Sequence, residues 1–596
     1  MLTDNRKKEN VRMKNIKIYL PLAIALFISQ VSLAQEEDNI GSEVVNVVKP
    51  YTPAISDAFK VKETPVIDDD ENTQKEAIEY NIFSFPVAST FTPAKGKAAG
   101  VDKAEKEKLY RNYATLGFGN YPTINAELFV TENFGRNSYI GGMLRHLSSQ
   151  GGIKDVVLDD KYYNTSLDVT YGTRDRDMSW NVDLGIKNQI YNWYGLPVEN
   201  IIFTEDMINA IDEKQSYNTI ALGGKLSLTD SYFSEVSLQF KRFSDALSSG
   251  ENRFFVKPNF DIEAFDQKIK ANFIIDYVGG SFDKDYEGLS DISYSTIIFG
   301  TKPSILYQQD DLSVQLGAGV FYSTGKFNGT SDSKIFVYPN VKASYKIVGD
   351  LLIGYAGAEG GLNQNSYADF VDQNPFVSPT LYVAPTDNKY DIYVGLKGKL
   401  ANSVAFNVKG SYNNEDGKAL FTSNPYIYAN ANTEGYTNGN SFGVVYDNVK
   451  TISIFGELKA DFSKSLSLGI NGTYNNFSTD YETEAWNLPQ LNIGATVDVD
   501  FDEKWYAGAK VFFVGERKDR ITVQSLAAVF PPEFMTEEVT LDSYFDLNMH
   551  VGYKYNDRLT AFLKGNNLAS QQYNRWANYP VQGIQILLGA NYKFDF

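Results

Sequence analysis

The chain has 596 residues, a formal net charge of −19 and no cysteine. Disulfides, thiolate metal sites and cysteine nucleophiles are therefore excluded, and the acidic balance argues against nucleic acid as a partner, which takes a basic face. Aromatic residues make up 14% of the chain, with 40 Tyr and 39 Phe, an excess that suits the interfacial girdles of a membrane protein.

Taken in chain order, residues 1–34 read as a secretory signal peptide whose expected start is Met13. Lys14 and Lys17 give a basic beginning, Ile18 to Ile28 is mostly apolar, and Ser32-Leu33-Ala34 offers a small-x-small cleavage pattern before Gln35. Residues 35–112 are charged and punctuated by Pro50, Pro53, Pro65, Pro86 and Pro93, with an acidic run Asp68-Asp69-Asp70-Glu71. This composition predicts an extended periplasmic segment, the run being a solvated linker rather than a metal site. Within it Glu43, Val44, Val45, Val47 and Val48 form a short apolar stretch that suits a TonB-contact or periplasmic docking strand.

From Tyr113 onward the dominant signal is period-two alternation. Ile220-Leu222-Gly224-Leu226-Leu228 and Ile452-Ile454-Gly456-Leu458-Ala460-Phe462 are examples, with polar residues between. The last segment is the cleanest. Ile584, Ile586, Leu588, Ala590, Tyr592, Phe594 and Phe596 share one face, and Gln585, Asn591, Lys593 and Asp595 lie on the other. A strand apolar on one side and polar on the other fits a wall between lipid and water. Counting such runs predicts an all-β fold, a transmembrane antiparallel β-barrel of about 22 strands over 113–596 behind the short N-terminal segment. Short links, such as those near Asp230, Ala401 to Ser403 and Asn556-Asp557, alternate with long ones near 149–161, 194–215, 281–292, 363–388, 415–440, 478–488, 517–540 and 568–581. The short links belong on the periplasmic side and the long ones outside.

The C-terminal third resembles the TonB-dependent receptors. Asn374-Pro375-Phe376 with Pro379, followed by Tyr390, looks like the Asn-Pro stretch before one of their late strands. Gly515-Glu516-Arg517-Lys518-Asp519 looks like their Gly-x-Arg loop start, and Asn566-Asn567-Leu568, Tyr573, Tyr579-Pro580 and Gln582-Gly583 resemble their closing pattern. The run Val47 to Pro65 is similar to an N-terminal stretch of plugless receptor-like proteins of Bacteroidetes-type bacteria. The resemblance implies an integral protein of the cell outer membrane that moves a solute under TonB control. It also implies that Tyr592, Phe594 and Phe596 are read by the barrel-assembly machinery during insertion. The departure from the family is the plug: residues 35–112 are too short for a complete one and read as an extended segment or vestigial plug, so the lumen must be closed by loops, by that segment or by a partner.

Three functions compete at this level. Solute transport is what the family implies. A structural or docking subunit of an outer-membrane assembly would explain the missing plug, with other envelope proteins as partners. An enzyme would need a positioned site. His146 and His550 are isolated, Ser148 and Ser149 near His146 do not specify a triad, and Asp498, Asp500 and Asp502 read as polar strand-end residues. The expectation is no catalytic residue, no metal and no cofactor, with outer-membrane lipids as the surrounding partner.

Overall fold

The computed structural model describes residues 109–229, 231–264, 267–428, 430–524 and 534–596. The expected signal peptide, the acidic run and the stretch Glu43 to Val48 lie outside the described residues. A single antiparallel sheet of 22 strands closes on itself. The first strand, Asn112–Gly119, pairs with the second, Thr123–Phe134, and with the last, Gln585–Phe594. The barrel of about 22 strands expected from alternation is thus found, and closure leaves no strand edge for the bilayer to strand without partners.

The seam is held by more than its ladder. The Asn120 amide donates to the Ile584 carbonyl at 2.6 Å while its Oδ1 accepts from the Ile586 N–H at 2.8 Å. Asn591 donates to the Thr115 hydroxyl at 2.7 Å, and the Arg111 N–H to Asp595 at 2.9 Å. These polar side chains point inward or lie at the strand ends, where water competes but lipid does not.

The alternation translates directly into two faces. Along the last strand Ile586, Leu588 and Tyr592 stand exposed on the outside, while Asn591 is buried on the inside. The same outward set recurs around the wall in Val182, Leu184 and Ile186, in Ile392, Val394 and Leu396, and in Ile452 and Ile454. Exposed aliphatic rows of this kind are unfavourable in water and favourable against acyl chains. Near the short turns, Tyr232, Phe462, Phe501, Trp505 and Tyr555 are exposed and supply an interfacial girdle. The fold therefore places the protein as an integral outer-membrane barrel.

The links follow the expected sidedness. Turns 135–137, 175–177, 310–311, 402–403 and 464–465 lie at the end where the barrel's terminal strands begin and finish, and loops 150–161, 193–213, 283–291 and 364–385 lie at the other. Three links at the loop end are short: 120–122, 246–249 and 328–329. The last is Asn328-Gly329, both with positive φ (44° and 85°), the turn that matches the twist of a two-residue hairpin. One boundary differs from expectation. Residues 415–423 continue the strand Val404–Ser423, paired with Phe442–Ser463, because the long ladder with its Glu415/Lys418 bulge carries the polar residues that read as a loop. The loop proper is 424–441.

Candidate functional site

The loop end of the barrel contains a packed core. Trp193, Tyr367, Phe370, Val371, Phe376, Leu381, Tyr436, Phe442 and Tyr579 come from four different loops or their flanks and join Tyr217, Phe243 and Phe282 of the wall in one buried cluster. Loop residues of a barrel normally face water; here they bury large side chains as a domain core does. The mouth is built by the chain itself.

Its central piece is loop 364–385, which includes the short helix Tyr367–Gln373. Ser366 caps the helix, its hydroxyl accepting from the Asp369 N–H at 3.1 Å. The loop leaves the barrel between Leu352–Asn363 and Thr386–Ala401 yet meets lumen-facing residues of strands much earlier in the order. Tyr367 packs edge-on against Tyr217, Phe243 and Phe282, and the Tyr217 hydroxyl donates to the Pro375 carbonyl at 2.9 Å. The loop therefore reaches across the lumen rather than standing above the rim.

Glu251 fixes the helix start. It is 1% exposed and accepts from the Tyr367 N–H at 2.6 Å, the Ala368 N–H at 3.3 Å and the Tyr294 hydroxyl at 2.7 Å. These are charge-assisted bonds to helix N–H groups that otherwise have no partner. One turn on, Asp369 meets Arg253 at 2.7 Å and Lys241 at 3.5 Å. Arg253 also holds Asp276 through two N–H groups, at 3.0 and 2.7 Å, and Lys187 reaches Asp372 at 2.8 Å. Acidic groups on the loop thus meet basic groups on the wall. The Tyr367 hydroxyl, bonded to Asp245 at 2.9 Å, is pushed well above its ordinary pKa by burial and by that carboxylate, so it stays a donor.

Two other loops lock onto this piece. The Phe442 N–H donates to the Phe376 carbonyl at 3.0 Å and the Ser378 N–H to the Phe442 carbonyl at 2.9 Å. Asn440 donates to the Trp193 carbonyl at 2.7 Å. Tyr579 stacks on Phe376 at 3.8 Å and its hydroxyl donates to the Asn440 carbonyl. Gly435 lies so close to the Asp212 carbonyl that a Cβ there would overlap it.

The motifs that resemble TonB-dependent receptors fall here. Asn374, Phe376, Arg517, Asn567, Tyr579 and Gln582 are all buried. Asn567 donates to the Gln571 and Gln582 carbonyls at 2.9 and 3.0 Å. Gln582 in turn donates to Ser149 and Gly151 at 2.8 and 3.1 Å. Arg517 and Asp519 sit in a hairpin of Arg517–Gln524 with Phe534–Leu541, outside the barrel sheet. Asp519 accepts from the Ser423 N–H and hydroxyl at 3.3 and 3.2 Å, and burial pushes its carboxyl up to about 6.

The remaining candidates are not brought together. His146 contacts the Thr165 and Ser148 hydroxyls at 2.8 and 3.1 Å, with no carboxylate on either nitrogen. His550 lies on the far strand Tyr544–Lys554 beside Tyr506. Asp502 accepts two turn N–H groups. Among the described residues no cluster of His, Asp or Glu could hold a metal ion. Tyr592 and Phe594 stack 6.1 Å apart on the outer face of the last strand, and Phe596 is exposed beyond it. What sequence reading missed were Glu251, Arg253 and Asp369. They are single polar residues in strands and a loop, up to 118 positions apart, and carry no local signal.

This barrel is similar to solved receptors and transporters. The FrpB iron transporter from Neisseria meningitidis matches with a TM-score of 0.60 at 12% identity, over 82% of this chain and 82% of that one. The ferripyoverdine receptor of the outer membrane of Pseudomonas aeruginosa matches at 0.58 and 13%, over 81% and 72%. The copper transporter OprC matches at 0.58 and 11%, over 82% of each. No family model matches the sequence, and no curated protein matches it. The chain shares the fold of these receptors and transporters, and in it the closed barrel has 22 strands.

Proposed function

We propose that the chain carries a solute across the outer membrane through its barrel, without catalysis, and that release of the loop-built mouth is the gating step. The observation that supports this reading is the crossing of the lumen by loop 364–385, held by acid–base pairs at Asp369 and Asp372. A barrel of this strand number encloses a wide lumen that needs closing, and a closure fastened by ion pairs to the inner wall can be displaced without unfolding the wall. The stretch Glu43 to Val48 is our candidate for engaging TonB from the periplasm. Single-channel recording of the purified full chain tests the proposal. The expected result is a silent barrel at rest that conducts once Asp369→Asn and Asp372→Asn are combined. A double variant as silent as the parent overturns it.

A second reading, a docking subunit of an outer-membrane assembly, is favoured by the depth of the mouth core. Burying Trp193, Tyr367, Phe442 and Tyr579 at 3% exposure or less stabilises the closed state by roughly 1.5–3 kcal/mol for each large side chain, which suits a permanent surface. Stable co-purification with other envelope proteins supports that reading, and a solitary chain after mild extraction counts against it.

A further inference from the structure

Beside the mouth core two arginines, Arg517 and Arg575, form no ion pair with a carboxylate among the described residues. Most cations near the mouth have one: Lys187 with Asp372, Arg253 with Asp276 and Asp369, Lys284 with Glu434, Lys518 with Glu538 and Arg520 with Glu482. Arg517 is 7% exposed, and its two terminal nitrogens donate to the Arg575 and Asn574 carbonyls at 2.5 and 2.8 Å. Its Nε is buried with no hydrogen-bond partner. Arg575 is exposed and makes no ion pair among the described residues. Through those two bonds the Arg517 guanidinium lies against the backbone of Asn574 and Arg575.

The carboxylates of this neighbourhood are already engaged. Asp160 accepts the Gly152 and Ile153 N–H groups, Asp372 holds Lys187, and Asp519 holds Ser423 and the Arg520 N–H. Asp546 accepts the Tyr573 hydroxyl at 3.1 Å and the Asn567 N–H at 3.2 Å. Tyr544 and Tyr573 stack face to face at 3.7 Å, with the Arg517 guanidinium 5.7 Å from the Tyr544 ring. Phe545 is exposed on the outer wall, so by alternation Tyr544 and Asp546 face the lumen, away from lipid. Asp519 acts on Arg517 electrostatically, but among the described residues no carboxylate forms an ion pair with it, and a buried guanidinium so placed is costly. Arg575, exposed and tied through its backbone carbonyl to Arg517, adds a second positive charge with no ion pair among the described residues, in a chain whose net charge is −19.

We propose that Arg575 and Arg517 form a binding site for a small oxyanion-bearing solute, a carboxylate or a phosphate. Arg575 makes the direct contact as a two-pronged donor. Arg517 is the positioning residue, since it holds the backbone of Asn574 and Arg575 and adds its charge from behind. Binding needs no passage through the barrel, so this site and the transport reading can fail separately.

The test is titration of the detergent-solubilised full chain with citrate and with inorganic phosphate at constant ionic strength. Tryptophan emission, to which Trp576, the neighbour of Arg575 in the cluster with Phe421 and Phe442, contributes beside four other tryptophans, and the thermal midpoint are the readouts. At least one anion is expected to give a saturable change in both, and the anion that does so identifies the acid group. Arg575→Gln, at an exposed position, is expected to weaken it about tenfold or more, near 1.4 kcal/mol. Lys518→Gln on the same hairpin is expected to leave it unchanged. Arg517→Lys keeps the charge but loses the fork, and should weaken binding less than Arg575→Gln. A titration that saturates equally in the parent and in Arg575→Gln overturns the proposal, and so does the absence of a saturable change with both anions.

Discussion

The barrel wall and the mouth are held together in opposite ways. In the wall every strand needs only its two neighbours and a face of the right polarity, so information is local and repeated 22 times. In the mouth each contact joins residues remote in the chain, as Glu251 does with Tyr367 and Tyr579 with Asn440. A wall built by repetition absorbs a change at one position by its neighbours. A mouth built from single contacts does not. The wall should tolerate substitution unless polarity is reversed on the lipid face, and the mouth should respond to the loss of individual side chains.

The largest effect expected in the wall is Leu588→Arg, which puts a charge on the lipid face at a cost of about 2–4 kcal/mol near the midplane. Asn591→Ser, three residues on and facing the lumen, loses one hydrogen bond to Thr115 and should cost only about 0.5–1.5 kcal/mol; refolding into lipid vesicles at graded urea measures both. If the two variants match, the assignment of faces is wrong. In the mouth, Glu251→Leu removes the acceptor of two helix N–H groups and the Tyr294 hydroxyl. Each stranded donor costs ~1–3 kcal/mol, so loop 364–385 should become a site of rapid proteolysis while the barrel remains resistant to detergent. Survival of the loop would show that the aromatic packing alone holds it.

Gly435→Ala comes next, because the added Cβ must push the Asp212 carbonyl away. Separation of loops 424–441 and 193–213 should appear as faster hydrogen exchange in both, with the wall unaffected. Asp519 supplies a pH test. Its folded carboxyl keeps its proton up to about pH 6, whereas the free group releases it near 3.8. The hairpin anchor is therefore firmest below about pH 4, weakens as pH rises through 6 and is constant above. Asp519→Asn should abolish that dependence in exchange or proteolysis of 517–524. The smallest effect is expected from Lys346→Gln, which loses an exposed pair with Asp350 near a short turn and should cost no more than ~0.5 kcal/mol.

Much of this protein was legible in its sequence. Ile584 to Phe596 states its two faces in order. The strand number and the side on which long loops lie also followed, since period-two polarity and turn residues act over a few positions. Residues 415–423 were misread as loop because polar lumen residues and polar loop residues look alike. The mouth was partly marked: Asn374, Arg517, Asn567 and Tyr579 stood out by resemblance, but nothing in their spacing said that they meet. Glu251 and Asp369 gave no sign at all.

The amino-acid order by itself thus determined the class of the molecule, its membrane and its sidedness, because lipid on one face and water on the other impose a rule that every strand must obey separately. Only the tertiary structure decided how the lumen is crossed, which carboxylate holds the crossing loop and which arginines form no ion pair among the described residues. Those outcomes depend on side chains brought together by closure of the whole barrel, and no local rule of polarity or propensity encodes such a meeting.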